Sequence, residues 1–475
     1  MEYETTTNEP MDEPGGEEII PEEMDTHSTL PTQVAIRKAT YRDYKPINSV
    51  DNTGSIHFII QLDDCEYLDC QNTTLWMTRK ILDKDGNPIP EKIKDDDETT
   101  GKENPLANVL FVNGASSCFK NLEIKMNSTV VELGDGMYAH RADLETRLGF
   151  PNEVKRGMAA MGGFIEEKIA FDDLKDTINL KEQNPGENIK GLVKRFKKTQ
   201  YSRPWTTVNM IHSPIFQQLK YIPPSTKLEL RFDRNEPDFM LLSKDTERTS
   251  YTVSLTEVKI KTRIVEAESI ICRESREITE SGVNEKYPIR RVRMFSTSHA
   301  ANKRDLSVTD LLPGENHLPR RIFFAVVKEN AVTGNLHCDP FNYDHNNIEY
   351  VYVTTGGEAR YQEPLYANFD NTSINADHTQ LLWSLLETTN TMYGMEDLGI
   401  NIDNYKERNA IMGANFIGAK SNAVDSFEPH QIKKVGLNLK LAKESTHALS
   451  IIVYAEYDAE IQITKDRQVI RLPNA

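Results

Sequence analysis

The run "LSIIVYAEYDAEIQIT", Leu449 to Thr464, limits what this chain can fold into more than any other stretch. Every odd position from Leu449 through Ile463 is apolar, while the even positions are mostly Ser, Tyr, Glu, Asp, Gln and Thr. A period of two puts one face of an extended strand on a core and the other in water or against a partner. At about 3.3 Å per residue the run reaches roughly 50 Å, about three times an ordinary strand. Tall sheets are expected, with the odd face buried, the even face polar, and Ala455 or Ala459 as the place for a bend between two ladders.

Other runs agree. "SIHFIIQL" sets Ile56, Phe58, Ile60 and Leu62 on one face, and "KLELRF" does the same with Leu228, Leu230 and Phe232. "RRIFFAVV" and "NIEYVYV" are apolar on both faces and suit strands covered on two sides. Turn signals separate them: "DKDGNP" from Asp83, "NG" at Asn113, "LPGEN" from Leu312 and "TTGG" from Thr354. In "YTVSLTEVKIKTRIV" the apolar phase changes between Leu255 and Val258, which calls for a β-bulge near Glu257.

Two stretches read as helices: "GMYAHRADLETRLGFP", expected over 136–149, and "HTQLLWSLLETT", expected over 379–389. Each follows a set of strands, so the halves are expected to repeat one plan. The expected organisation is an acidic tail over 1–32, a first sandwich over 33–272 with a long loop near 151–205, and a second sandwich over 273–475. Two tandem eight-stranded jelly rolls, mainly β with short inserted helices, satisfy this order.

Charge is unevenly placed. The chain carries −17, of which residues 1–36 supply ten Asp and Glu with no Lys or Arg. The tail is expected to be disordered by itself, and the mildly acidic body argues against a dedicated DNA-binding domain. No stretch approaches the ~18 apolar residues needed to span a bilayer, so no membrane insertion is expected. The acidic start lacks the order of a signal peptide, and five scattered cysteines read as reduced thiols in an intracellular setting.

Catalytic patterns are weak. "GANFIGAKS" has Gly413, Gly418, Lys420 and Ser421, but the Lys comes one residue too late for a phosphate loop. His337-x-Asp339, with His378 or His430 downstream, matches the ligand types of a jelly-roll non-haem iron oxygenase, which is one alternative reading. A carbohydrate-binding double sandwich, drawing on 18 Tyr and 3 Trp, is another. Cys65 and Cys70 have no second pair for zinc. The basic runs "KGLVKRFKK" (Lys190 to Lys198) and "YPIRRVR" (Tyr287 to Arg293) read as solvated faces or subunit contacts. No catalytic, cofactor-binding or metal set is assigned.

Three stretches then carry a specific likeness. They are "YPIRRV" followed by "LPRRI", "AVTGNLHCDPFN" and an aromatic strand; "YAHRADLETRL", with Tyr138, Arg141, Ala142, Leu144, Glu145, Thr146 and Leu148; and the closing "VYAE". Their order across about 330 residues resembles the major capsid proteins of Polinton (Maverick) elements and adintoviruses. The resemblance implies a structural, non-enzymatic double jelly roll. It further implies that three chains form a pseudo-hexameric capsomer, and that capsomers and a single-jelly-roll penton protein tile an icosahedral virion shell around double-stranded DNA, without reading its sequence. Assembly would take place inside the host cell, in nucleus or cytoplasm. Glu456, Asp458 and Glu460 are expected to meet basic residues of an adjacent jelly roll or subunit, with Arg290, Arg291 and Arg293 as the candidates, so that these six are the possible subunit-contact residues. The acidic tail and the basic run near 190–198 lie outside the matched pattern.

Overall fold

The computed structural model describes residues 32–472, apart from 51–53, 94–101, 104–107, 175–179, 181–185, 187–188, 245–249, 370–376, 393–396 and 419–425. The acidic tail, and Lys420 and Ser421 of the glycine-rich run, therefore lie outside the described residues.

The first half is built from β1 (Ile36–Tyr44), β2 (Ile56–Gln61), β3 (Glu66–Asp83), β4 (Phe119–Met126), β5 (Thr129–Glu132), β6 (Trp205–Met210), β7 (Lys227–Arg234) and β8 (Tyr251–Ala267). They form two antiparallel sheets in the orders β1-β8-β3-β6 and β2-β7-β4-β5. The second half has β9 (Glu285–His299), β10 (Asp305–Val308), β11 (Arg321–Lys328), β12 (Ile348–Thr355), β13 (Glu358–Ala359), β14 (Ile411–Asn415), β15 (Val435–Leu441), β16 (Leu449–Ile463) and β17 (Val469–Leu472). Its sheets run β9-β16-β11-β14 and β10-β15-β12-β13, with β17 added beside β16. Position by position this is the same order, 1-8-3-6 over 2-7-4-5. The fold is a double jelly roll.

Alternation explains each core. Ile56, Phe58 and Ile60 of β2 and Leu228, Leu230 and Phe232 of β7 are buried against Leu75, Met77 and Ile81 of β3 in the opposite sheet. The Phe58 and Phe232 rings meet edge to face at 6.1 Å, the arrangement their quadrupoles favour. In β8 the bulge falls at Glu257, which has φ 50, and the register with β3 shifts between Thr256 and Lys259. The extra residue keeps Val258 and Ile260 facing the same core as Val253 and Leu255.

Among the described residues, four helices of ten or more residues flank or join the sheets: α1 (Tyr138–Gly149), α2 (Lys190–Thr199), α3 (Ser269–Glu280), which connects the two rolls, and α4 (Thr379–Thr389). The segment near 151–205, expected as a loop, thus contains a helix. Leu192, Val193 and Phe196 of α2 are buried, and the lysines between them hid the helical period. Gly413, from the glycine-rich run, is a residue of β14. A Cβ there would meet Thr388 Oγ1 of α4 at 2.5 Å, so glycine serves close helix-to-strand packing. β11 is covered on both faces, because α4 packs over it, but on β12 Tyr350 and Tyr352 remain half-exposed on an outer face that no layer of the described residues covers.

Candidate functional site

The closing strand β16 keeps an unbroken register through Ala455 and Ala459. It pairs with β9 over all fifteen residues, from Glu285↔Ile463 to His299↔Leu449. On its other edge the neighbour changes instead: β11 pairs as far as Glu456, and β17 from Glu460. Its odd face is buried as expected. Leu449 to Tyr457 lie in the second core, whereas Ile461, Ile463, Val469 and Tyr287 lie in the first. One strand therefore enters both hydrophobic cores and ties the rolls into one wall.

The even face is polar but not solvated. Ser450, Ile452, Tyr454, Glu456 and Asp458 are also buried, because this face of the sheet meets α1 and the first roll and not solvent. Gln71 and Thr73 of β3, Leu144 of α1, and Arg290, Arg321, Tyr454 and Glu456 of the second roll line one cavity of about 370 Å³ between the two tall sheets. Asp458 takes hydrogen bonds from Arg290, from Arg320 Nη1 (3.1 Å) and from the Glu428 backbone N–H (2.9 Å). Arg321 Nε donates to Glu456 at 3.0 Å. Arg291 and Arg293 are directed to Glu315 instead, at 2.8 and 3.9 Å, and Glu460 accepts from Gln462 at 2.6 Å. Of the six residues singled out in the sequence, Arg290 and Asp458 are hydrogen-bonded to each other.

α1 is the wedge of this wall. All ten residues from Tyr138 to Arg147 are buried, although six of them are ionisable. Tyr138 belongs to the first core, Leu144 to the second, and Ala139 to a third cluster with Phe171, Phe196, Phe239 and Phe341. Such a helix has no solvent face, so its charges must pair internally. Arg141 bonds Glu132 and Glu145, the latter at 2.8 Å; His212 Nδ1 donates to Glu145 at 2.9 Å. Burial opposes ionisation of Glu145, but Arg141 and His212 outweigh it and hold the carboxyl at about 2. For Glu132 burial wins, and its pKa is raised.

A second chain of charges crosses between the rolls. Glu167 bridges Arg195 of α2 and Arg408, and Arg408 also donates to Asp339 at 2.8 Å. Arg147 joins Asp143 at 2.7 Å to Asn409 of the second roll, also at 2.7 Å. Sequence reasoning missed Glu167, Arg195 and Arg408 in this role, since no local spacing links residues that far apart.

The iron reading fails on geometry. Asp339 is engaged by Arg408, and His337 Nδ1 bonds the Ser243 carbonyl at 2.8 Å. His378 stacks between Phe369 and Tyr405, and His430 sits against His317. Among the described residues no group of three His, Cys, Asp or Glu is placed to hold a metal.

No protein-family model matches the chain. In sequence it is similar to the uncharacterized protein F54H12.2 of Caenorhabditis elegans, 21% identical over 434 residues, covering 90% of this chain and 95% of that one. In structure it is similar to a chain of the Sputnik virophage (TM-score 0.61, 11% identity, covering 96% and 93%) and to the Faustovirus major capsid protein (0.54, 10%, covering 94% and 92%). The mavirus major capsid protein is another neighbour (0.51, 11%, covering 98% and 97%). The Faustovirus and mavirus neighbours are major capsid proteins, and the likeness to all three extends over the whole double jelly-roll fold.

Proposed function

We propose that the chain is a major capsid protein of the Polinton and adintovirus kind, which trimerises into pseudo-hexameric capsomers that tile an icosahedral shell around double-stranded DNA. The observation that carries this reading is the repetition of one eight-strand order in two rolls fixed side by side by shared strands and buried charges. A trimer of such chains presents six similar rolls, which is what a near-hexagonal tile requires. A rigid joint also suits a shell, because a hinge between rolls would blur the tile. In this reading neighbouring capsomers and a single-jelly-roll penton protein are the partners, the virion capsid is the location, and assembly takes place in the host nucleus or cytoplasm. Arg293, a third exposed, is the subunit-contact candidate among the six residues, since Glu456 and Asp458 are already engaged within the chain.

Light scattering and electron microscopy of the purified protein test this. Trimers or shells are expected, because a shell subunit must bury far more than the ~1,600 Å² of a standard contact. A stable monomer at micromolar concentration across several salt conditions would overturn it.

A further inference from the structure

Opposite the shared strands, the seam between the rolls opens into a cleft of about 1090 Å³, bordered by α2, β6, the Asn152–Lys168 segment and the Leu398–Asn409 loop. Its rim is basic. Lys190, Lys194 and Lys198 stand four residues apart on the exposed face of α2, and Arg156 and Lys168 are exposed across from them. Glu166, Asp403 and Glu407 are the exposed acids of the same rim.

Two cations behind the rim lack the usual compensation. Arg79 is fully buried between the rings of Phe111 and Trp205, at 4.3 and 4.4 Å, and Trp205 lines the cleft. Its Nη1 reaches only Cys118 Sγ, at 3.9 Å, and its Nε and Nη2 have no hydrogen-bond partner among the described residues. Lys155 Nζ donates to the carbonyls of Arg147 and Leu398, at 2.6 and 2.5 Å, and forms no ion pair among the described residues. A cleft with uncompensated charge behind low-dielectric walls concentrates anions.

We propose that this cleft is the docking site of the chain's own acidic N-terminal segment, residues 1–31. That segment holds ten Asp and Glu and no Lys or Arg. Its root is within reach. Ile36 pairs with Ala267 at one end of β8, and the cleft edge is reached through Leu255↔Arg79 and Arg79↔Trp205. About twelve residues along β8 and three strand spacings across the sheet separate the two, roughly 45 Å in all. About 13 extended residues cover that distance. Seven of the ten acids lie within residues 2–18 and remain available to reach the rim. Tethering supplies an effective concentration that a free acidic peptide lacks. The proposal concerns a single chain and does not depend on shell assembly.

Carbodiimide cross-linking of full-length protein at low salt, with equal parts of ¹⁵N-labelled and unlabelled chains, tests it. Links from carboxylates of residues 2–18 to Lys190, Lys194 or Lys198 are expected within one isotope, and to be lost in 0.5 M salt. Removing residues 1–31 should raise the acetylation rate of Lys194 and Lys198 several-fold. A full-length chain with the seven acids changed to Gln should behave in the same way, and it leaves every residue of both rolls in place. Unchanged lysine reactivity in both variants overturns the proposal. Links joining heavy to light chains also overturn it, by assigning the cleft to a neighbour's tail. Equal protection by a DNA duplex with and without the tail would make the cleft a phosphate surface instead.

Discussion

Changing Asp458 to Asn tests whether the even face of β16 belongs to the fold or to a subunit contact. The side chain is 6% exposed and is held by Arg290, Arg320 and the Glu428 N–H. Asn is nearly isosteric, so no cavity forms. What is lost is the negative charge opposite two guanidinium groups, one of them, Arg320, only 2% exposed. Breaking a buried pair from one side costs about 3–5 kcal/mol, because the remaining charge stays buried. Arg290 keeps a quarter of its side chain in solvent, which places the expected loss near the lower end, about 3 kcal/mol. Glu460→Gln is the internal control. It lies two residues on, on the same face, but it is only half-buried and accepts from Gln462 alone among the contacts that place it. Its cost should stay within about 0.5 kcal/mol. Urea unfolding followed by fluorescence reads both. With a slope of about 3 kcal/mol per molar, the Asn variant should unfold roughly 1 M earlier and the Gln variant at the parent's midpoint. Equal midpoints for the two variants would refute the reasoning. The same logic predicts that simultaneous Lys substitution of Glu456, Asp458 and Glu460 damages the fold before it damages assembly.

Arg408→Met should cost about 3–5 kcal/mol in the same assay, since Glu167 and Asp339, both 1% exposed or less, lose the cation between them. Gly413→Ala should destabilise by about 1–3 kcal/mol, because the new methyl meets Thr388 at 2.5 Å and the Ser384 carbonyl at 3.0 Å; a variant as stable as the parent would deny the close packing of α4 on β14. His140 sits edge-on to Phe239 and Phe341, and burial pushes it down to about 4 from an ordinary value near 6.5. A depressed histidine contributes stability that is present above pH 6.5 and lost as pH falls toward 4, by roughly 3 kcal/mol. His140→Phe should flatten that part of the stability profile, and an unchanged slope would count against a buried neutral imidazole.

The strands were legible because their burial is one-sided: Ile56, Phe58 and Ile60, or Leu228, Leu230 and Phe232, declare a core by alternation alone. The bulge at Glu257 was legible for the same reason, as a slip in that alternation. β12 misled because Tyr350 and Tyr352 are apolar in composition yet stand on an open outer face. α2 misled in the opposite sense, with its exposed lysines masking Leu192, Val193 and Phe196.

The joint between the rolls was illegible for a deeper reason. A sequence pattern separates apolar from polar, and it equates polar with wet. At the joint that equation breaks. Arg141, Asp143, Glu145 and Arg147 fill the middle of a helix with no solvent face, and Glu456 and Asp458 continue the polar side of a strand into the interior. Each is buried because a partner compensates it, Glu132 for Arg141, Asp143 for Arg147, Arg321 for Glu456 and Arg320 for Asp458, while across the joint Asn409 accepts from Arg147 and Glu167 neutralises Arg408. Two sandwiches each complete within themselves need no such contacts. Two sandwiches locked at one angle do, because charged hydrogen bonds are directional where apolar packing is not. The polar half of the closing strand is held by arginines of its own roll, and the charged contacts that cross the joint are those of Glu167 with Arg408 and of Arg147 with Asn409. The strand's apolar half, running from the second core into the first, supplies the adhesion that makes the orientation permanent.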